Sequence, residues 1–435
     1  MQSRLEVKIW KAQALPTDWF RRVRATDEKD SVAVENSVKA IVDAVRKNGD
    51  SALIEFTEKF DKTKLKPENL RANQEEIKAA YNAVTKKQVS ALRLMRDKLG
   101  AMEKLTLQGF QRKTQREGVT VQTVLRSIES VGCYVPGGQA AYPSTLVMTA
   151  APAKAAGVPR IVVCSPPTAE GAINPLILVA ADICEVDEVY KVGGAQAIAA
   201  LAYGTETVKP VMKIVGPGSK YVTMAKVLVS KDVAIDMPAG PSEVLVLADE
   251  TADPKLVAAD MVSQAEHGAD SVAGLVATSE KLAGEVLGWL EKVAASAERG
   301  DIVREALSSS GFIITCERTE EMVALANVFA PEHLEIVTRN PAEIADRITS
   351  AGLILVGPYS PVALSDYGSG TNHVLPTGGF AKAFSGLSAF DFMRRVNIVE
   401  STQEGLLKVK ESIKVLTEAE RLPNHYKAVE ARFEK

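Results

Sequence analysis

Residues 189–229 read VYKVGGAQAIAALAYGTETVKPVMKIVGPGSKYVTMAKVLV, and the same phrase occurs in them twice. VYKVGG and VMKIVGPGS each give a short β-branched run that ends in a glycine turn. AQAIAALAYG and KYVTMAKVLV then follow with the three- and four-residue apolar spacing of a helix. A strand that turns at glycine into a helix is a βα unit, and two in succession predict consecutive units of one largely parallel sheet.

The alternation extends on both sides. RIVVCSPP (160–167) precedes it, and VLVLAD (244–249), VAGLVATS (272–279), FIITC (312–316) and LILVG (353–357) follow, each trailed by a helical pattern. This is α/β architecture with parallel-rich sheets. Before it, residues 30–110 are helical by periodicity, as in VENSVKAIVDAVRKNGDSALIEFTEKF (34–60). AIDMPAGPSEVLVLAD (234–249) sets two prolines and a glycine between strands, a predicted crossing from one domain to another. After Ser388 apolar strands vanish, and KVKESIKVLTEAERLPNHYKAVEARF (408–433) reads as two helices broken at Pro423. Such a tail cannot form its own core, so it must pack on the rest of the chain or on a second subunit.

The chain of 435 residues is too long for one typical core, which favours two domains. With 46% hydrophobic and 25% charged residues and a net charge of −3, it reads as soluble and globular, with no electrostatic reason to bind nucleic acid or an anionic membrane. Cys133, Cys164, Cys184 and Cys316 form no CxxC pair, which argues against a disulfide framework or a four-cysteine zinc site and fits a reducing, cytoplasmic compartment. Cys164 and Cys184 lie in apolar runs and read as core; Cys133, beside Tyr134, could lie nearer a site. No apolar run is long enough to span a membrane, and the first residues lack the pattern of a secretory signal.

Chemistry concentrates around the four histidines, all in polar or turn-like settings. SDYGSGTNHVLPT (365–377) combines Asp366 and His373 with glycines and hydroxyls, although the same residues also build ordinary turns. In DPKLVAADMVSQAEHGAD (253–270), Asp253 is the expected N-cap, Pro254 the first helical residue and Gly268 the stop. Gln264 and His267 then share a face at the last turn. Together with Asp366 and His425 they would offer two imidazoles, a carboxylate and an amide oxygen, a donor set suited to Zn²⁺. In FAPEHLEI (329–336), Glu332 and His333 present two bases side by side; spacing alone favours a helix N-terminus in which Glu332 complements the dipole. GxGxxG, a Walker loop and GxSxG are all absent, while VPGG, VGGAQA and VGPGSK offer glycine turns that could cradle a pyrophosphate.

YVPGG (134–138), GGAQAIAALAYGT (193–205), DMPAGPSEVLV (236–246), SQAEHG (263–268), APEHLEI (330–336), DYGSGTNHVLPT (366–377) and the terminal AERLPNH (419–425) occur in order from about Val131 to the end. Together they resemble the histidinol dehydrogenase family. The resemblance implies a zinc-dependent enzyme that oxidises L-histidinol through the aldehyde to L-histidine with two NAD⁺. Carried over by position, it implies Gln264, His267, Asp366 and His425 as ligands of one Zn²⁺ per subunit. His333 would take the alcohol proton and Glu332 would activate water. Substrate contacts would be Ser242, Gln264, His267, His333, Asp366, His373, Glu420 and His425, and cofactor contacts Tyr134, Gln196 and Ser219. Ser219 departs from the family pattern, which usually has Asn there, so one cofactor hydrogen bond is lost or replaced by water.

The implied fold is two incomplete Rossmann-like domains, one inserted in the other, with N- and C-terminal helical arms and an intertwined homodimer. The expected division is a 1–29 arm, a first domain of 30–131 and 242–387, an inserted NAD-binding domain of 132–241, and a 388–435 arm packed on the partner. Glu420 and His425 would then complete the partner's site. A sister dehydrogenase acting on another small alcohol is the alternative, with a catalytically silent metal-binding protein behind it. The presence of Glu420 and His425 counts against the first, and the Glu332–His333 pair against the second.

Overall fold

The computed structural model describes residues 5–24, 28–110, 112–137, 141–237 and 240–434. Strand β1 (Lys8–Lys11) and helix α1 (Trp19–Val23) are followed by α2 (Glu28–Asp61), α3 (Gln74–Asn82) and α4 (Lys86–Leu107). Strands β2 (Arg112–Arg116) and β3 (Val119–Ser127) lead into β4 (Ser130–Tyr134), α5 (Pro143–Ala155), β5 (Arg160–Ser165), α6 (Pro175–Ile183) and β6 (Glu188–Lys191). The alternation continues through α7 (Gly194–Tyr203), β7 (Lys213–Val215), α8 (Lys220–Val229) and β8 (Ala234–Ile235). A second alternation has β9 (Glu243–Ala248), α9 (Pro254–Ala265), β10 (Val272–Ala277), α10 (Glu280–Ser296), α11 (Gly300–Ser309) and β11 (Phe312–Thr315). It ends with α12 (Thr319–Phe329), β12 (His333–Val337), α13 (Pro341–Ala345), β13 (Leu353–Val356) and α14 (Val362–Tyr367). Strand β14 (Met393–Ser401), α15 (Gln403–Ala419) and α16 (Pro423–Glu430) complete the chain.

Two parallel sheets carry the molecule. The order β6-β5-β4-β7-β8 reverses direction between β4 and β7, and β11-β10-β9-β12-β13 reverses in the same way between β9 and β12, with β1 added beside β11. Both are the doubly wound order of a Rossmann-like unit, in which the crevice at the reversal is the usual place for a ligand. Strands β9 and β10 are buried along their whole length, as parallel strands covered on both faces must be. The two quoted βα units do share a sheet, but as β6 and β7 they are separated by β5 and β4. A third, antiparallel sheet pairs β14 with β3 over nine residues and β3 with β2.

Three expectations need correction. HLEIV is neither a helix start nor a free turn: it is β12, inserted between β9 and β13. Residues after Ser388 do include a strand, since MRRVNIVES is β14; it is exposed along nearly its whole length and so lacks the apolar run that marks a buried strand. The N-terminal segment, expected as a helical arm, carries a strand as well as a helix. β1 pairs with β11, and Trp19 is buried against Phe312 and stacked on Phe329 at 5.5 Å.

The cores also group the chain differently from the expected division. Residues of α2 pack with α7, α8 and the five-stranded sheet, and α3 and α4 pack with α5 and α6 on its other face. Residues 30–107 therefore cover the sheet of 130–235 rather than the one built from 243–356. Pro238 and Ala239, in the predicted crossing, lie outside the described residues. α15 and α16 break at Pro423 as expected, and they leave Leu407, Val415, Leu416 and Leu422 exposed.

Candidate active site

The amino ends of β9 and β12 lie side by side, with His333 opposite Val244 in the register. The Glu243 N–H donates to Glu332 Oε2 at 2.8 Å, and the Glu243 carbonyl lies 3.3 Å from His333 Nδ1. That carbonyl can only accept, so it selects the tautomer protonated on Nδ1 and leaves the Nε2 lone pair free. Nε2 is buried, has no hydrogen-bond partner among the described residues, and sits 3.8 Å from Asp366 Oδ1. Burial opposes the charged imidazole, but the Glu332 and Asp366 carboxylates and the Glu243 carbonyl outweigh it and raise the His333 pKa.

Asp366 arrives on α14, which is followed by the polar loop 368–377. His373 Nδ1 lies 3.6 Å from Asp366 Oδ1. Burial and the neighbouring His333 and His267 push the His373 imidazole down to about 3, so it is held neutral. Burial raises the Asp366 carboxyl, against the pull of His333 and His267. The loop is anchored to the other sheet's helices: Asn372 Nδ2 donates to the Met148 carbonyl on α5 at 2.8 Å, and Lys98 of α4 reaches the Gly368 carbonyl at 2.7 Å. The cluster therefore lies where the two sheet units meet.

Helix α9 delivers Gln264. Asp253 caps it as expected, its carboxylate accepting from the Lys255 N–H at 2.8 Å, an arrangement that stabilises a helix by about 1 kcal/mol. The helix stops at Ala265, before the expected Gly268, so His267 lies in the turn beyond it and is exposed, while Gln264 is buried. His267 is still close enough for its charge to act on Asp366 and His373. Ser242 is half-buried immediately before Glu243.

Gln264 Oε1, His333 Nε2, Asp366 Oδ1 and His373 Nδ1 are all buried without a hydrogen-bond partner among the described residues. An unpaired buried polar atom costs roughly 1–3 kcal/mol, so the three around Asp366 Oδ1 mark a place built for something to bind, and Gln264 Oε1 is a fourth unpaired atom. An amide oxygen and a carboxylate with His267 beside them fit a borderline divalent ion, but they leave its coordination incomplete. Among the described residues, no group of three or more His, Cys, Asp or Glu is placed to hold a metal. His425 and Glu420 are exposed on the terminal arm and tied by no described hydrogen bond or ion pair to this cluster.

The cofactor candidates gather at the carboxyl edge of the five-stranded sheet. Tyr134 ends β4 and its hydroxyl accepts from the Gly194 N–H at 3.1 Å, at the start of α7. Gln196, in the first turn of α7, is 1% exposed, and both its amide oxygen and nitrogen lack partners. Across the reversal, Gly216 has φ +115°, and a Cβ there would overlap the Tyr134 carbonyl, so only glycine fits. Ser219 is exposed at the N-cap of the ten-residue α8 and makes no side-chain cap. Cys133, in contrast, is fully buried, and burial pushes its thiol up to about 12, which makes it a packing residue.

Sequence reading missed the supports of the site. Glu243 is 1% exposed and takes both Nε of Arg24 at 2.6 Å and Nη2 at 2.7 Å, with the Gly378 N–H at 3.1 Å. Thr377 accepts from the Gly240 N–H. The one available signal was a carboxylate inside an apolar run, as in EVLVLA and HLEIV.

The histidinol dehydrogenase family model matches residues 24–433. A histidinol dehydrogenase of Clostridium acetobutylicum is 44% identical over 95% of this chain and 96% of its own. That of Archaeoglobus fulgidus is 45% identical over 93% and 98%. A crystal structure of histidinol dehydrogenase from Elizabethkingia anophelis superposes with a TM-score of 0.92 at 37% identity, covering 99% of both chains. With the family model spanning nearly the whole length and the fold shared end to end, the chain belongs to the histidinol dehydrogenase family, whose members are NAD-dependent oxidoreductases.

Proposed function

We propose that the chain oxidises L-histidinol through L-histidinaldehyde to L-histidine, using two NAD⁺ and one Zn²⁺ per subunit. The observation that supports the reading is that His333 Nε2 and His373 Nδ1 lie 3.8 and 3.6 Å from Asp366 Oδ1, all three buried and unpartnered, with Gln264 Oε1 buried and unpartnered as well. Gln264, His267 and Asp366 would hold the metal, with His425 of a second subunit as the fourth donor. When bound, zinc would supply an electrophilic anchor for the nitrogen donors of the substrate, and NAD⁺ would supply the hydride acceptor.

The chain's own residues do the rest. His333, fixed by the Glu243 carbonyl at Nδ1, presents Nε2 to take the hydroxyl proton. Glu332, anchored through Oε2 by the Glu243 N–H, takes a proton from the water that hydrates the aldehyde. His373, neutral because of burial and its histidine neighbours, suits an uncharged imidazole pocket, and Ser242 would contact the substrate. Tyr134, Gln196 and Ser219 would contact the cofactor, Gln196 supplying both a donor and an acceptor that are now unused.

The exposed leucines of α15 support a homodimer in which Glu420 and His425 reach the partner's site. Among the described residues no helix is long and apolar enough to cross a membrane. The test is Asp366→Ala: zinc content and NADH formation should fall together. Full activity with unchanged zinc would remove Asp366 from the site.

A further inference from the structure

Glu335 lies two positions beyond His333 on β12, so the two side chains leave the strand on the same face. It is 1% exposed, and Oε1 accepts from the Val362 N–H, the first residue of α14, at 2.8 Å. Oε2 is buried with no donor among the described residues. The carboxyl group of Asp260, on α9 one turn before Gln264, lies within hydrogen-bonding reach of the Glu335 carboxyl. No described ion pair brings a cation to either carboxyl. Two ionised carboxylates in buried contact repel, whereas one proton between them cancels a charge and supplies the missing donor.

We propose that Glu335 and Asp260 share one proton and clamp β12, α9 and α14 together, holding His333, Gln264 and Asp366 at the separations the site needs. They are positioning residues and touch no reacting atom. The pair connects the three elements that deliver the cluster, each within four residues of a site side chain, and it does so at the only buried carboxyl on β12 beyond His333. Burial and the facing Asp260 hold Glu335 well above the usual carboxylate range, and burial pushes Asp260 up to about 6, as a shared proton requires. The consequence for metal affinity rests on the zinc reading given above; the shared proton does not.

Two measurements on the full-length protein separate these. In the infrared difference spectrum between the parent and Glu335→Gln, a protonated-carboxyl C=O stretch should be present in the parent and absent in the variant at neutral pH. Its absence from the parent overturns the shared proton. Zinc affinity is then measured by competition with a chromophoric chelator. Glu335→Gln, whose amide donates to Asp260 and accepts from Val362, should stay within about threefold of the parent, while Glu335→Leu should weaken binding by about 10–100-fold, the usual cost of losing an outer-shell support. Unchanged affinity in a folded Glu335→Leu protein, or equal loss in both variants, overturns the clamp. If Glu335→Leu does not fold, Asp260→Ala, on the half-buried side of α9, carries the same expectation of at least about tenfold weaker binding, and unchanged affinity there overturns it. A parent protein that binds no zinc, yet shows the infrared band, would sink the metal reading while leaving the shared proton standing.

Discussion

His333 can act as a base because its two ring nitrogens have different neighbours: a carbonyl fixes Nδ1, and nothing but the open cluster faces Nε2. His333→Asn should therefore slow NADH formation by about 10²–10⁴-fold, the range for losing a positioned general base, while zinc binding persists. Single-turnover traces would check both. Glu332→Gln should slow the second oxidation more than the first, because the hydrated aldehyde needs an activated water and the alcohol does not; equal slowing would contradict the division of roles. Away from the cluster, burial pushes Asp61 from 3.8 up to about 6. Its folded pKa lies above the unfolded one, so its stabilising contribution is complete in acid and is lost as pH rises through about 6. Asp61→Asn should then lose less melting temperature than the parent between pH 5 and pH 7. At this scale His333, Asp366 and Gln264 could be proposed from the sequence because polar donors stand out beside short motifs such as APEH, SDYGSG and SQAEHG. Arg24, Glu243 and Asp260 could not, since they act through chain-distant contacts that no local pattern announces.

Helices and strands were legible where burial wrote a pattern. β5, β9, β10 and β11 are continuous apolar runs because both their faces are covered, and α9 declares itself by Asp253 and Pro254. β14 and β1 carried no such mark, and β12 was disguised by the two charged or polar residues it brings to the cluster, His333 and Glu335. The glycine turn after β7 offers a test at this level. Lys226 and Asp236 form a buried ion pair that holds both sides of Gly216: Nζ donates to its carbonyl at 3.0 Å and Oδ2 accepts its N–H at 2.8 Å. Lys226→Met leaves a buried unpaired charge and should cost about 3–5 kcal/mol in denaturant unfolding, with the double variant Lys226→Met, Asp236→Leu recovering most of it. A loss below about 1 kcal/mol in the single variant would show that solvent reaches the pair.

The whole molecule combines two doubly wound units, with the polar loop 368–377 of one bonded to helices α4 and α5 of the other, and a terminal arm that buries almost nothing of its own apolar face. The alternation was readable from residues 189–229 outward in both directions, but the grouping of α2 to α4 with the five-stranded sheet was not, because helical periodicity says which face is buried and not what buries it. If the arm's His425 serves the partner, His425→Ala and His333→Asn subunits should each form almost no NADH alone and, refolded together, regain about a quarter of parental activity from the one intact site per mixed dimer. No recovery would place His425 in its own subunit's site or in none. The measurement that bears on the central claim most directly is NADH formed per L-histidinol consumed by purified protein, before and after chelation and after zinc is returned. The account predicts two NADH per substrate, lost on chelation and restored by zinc; folded, zinc-loaded protein that forms no NADH would contradict it.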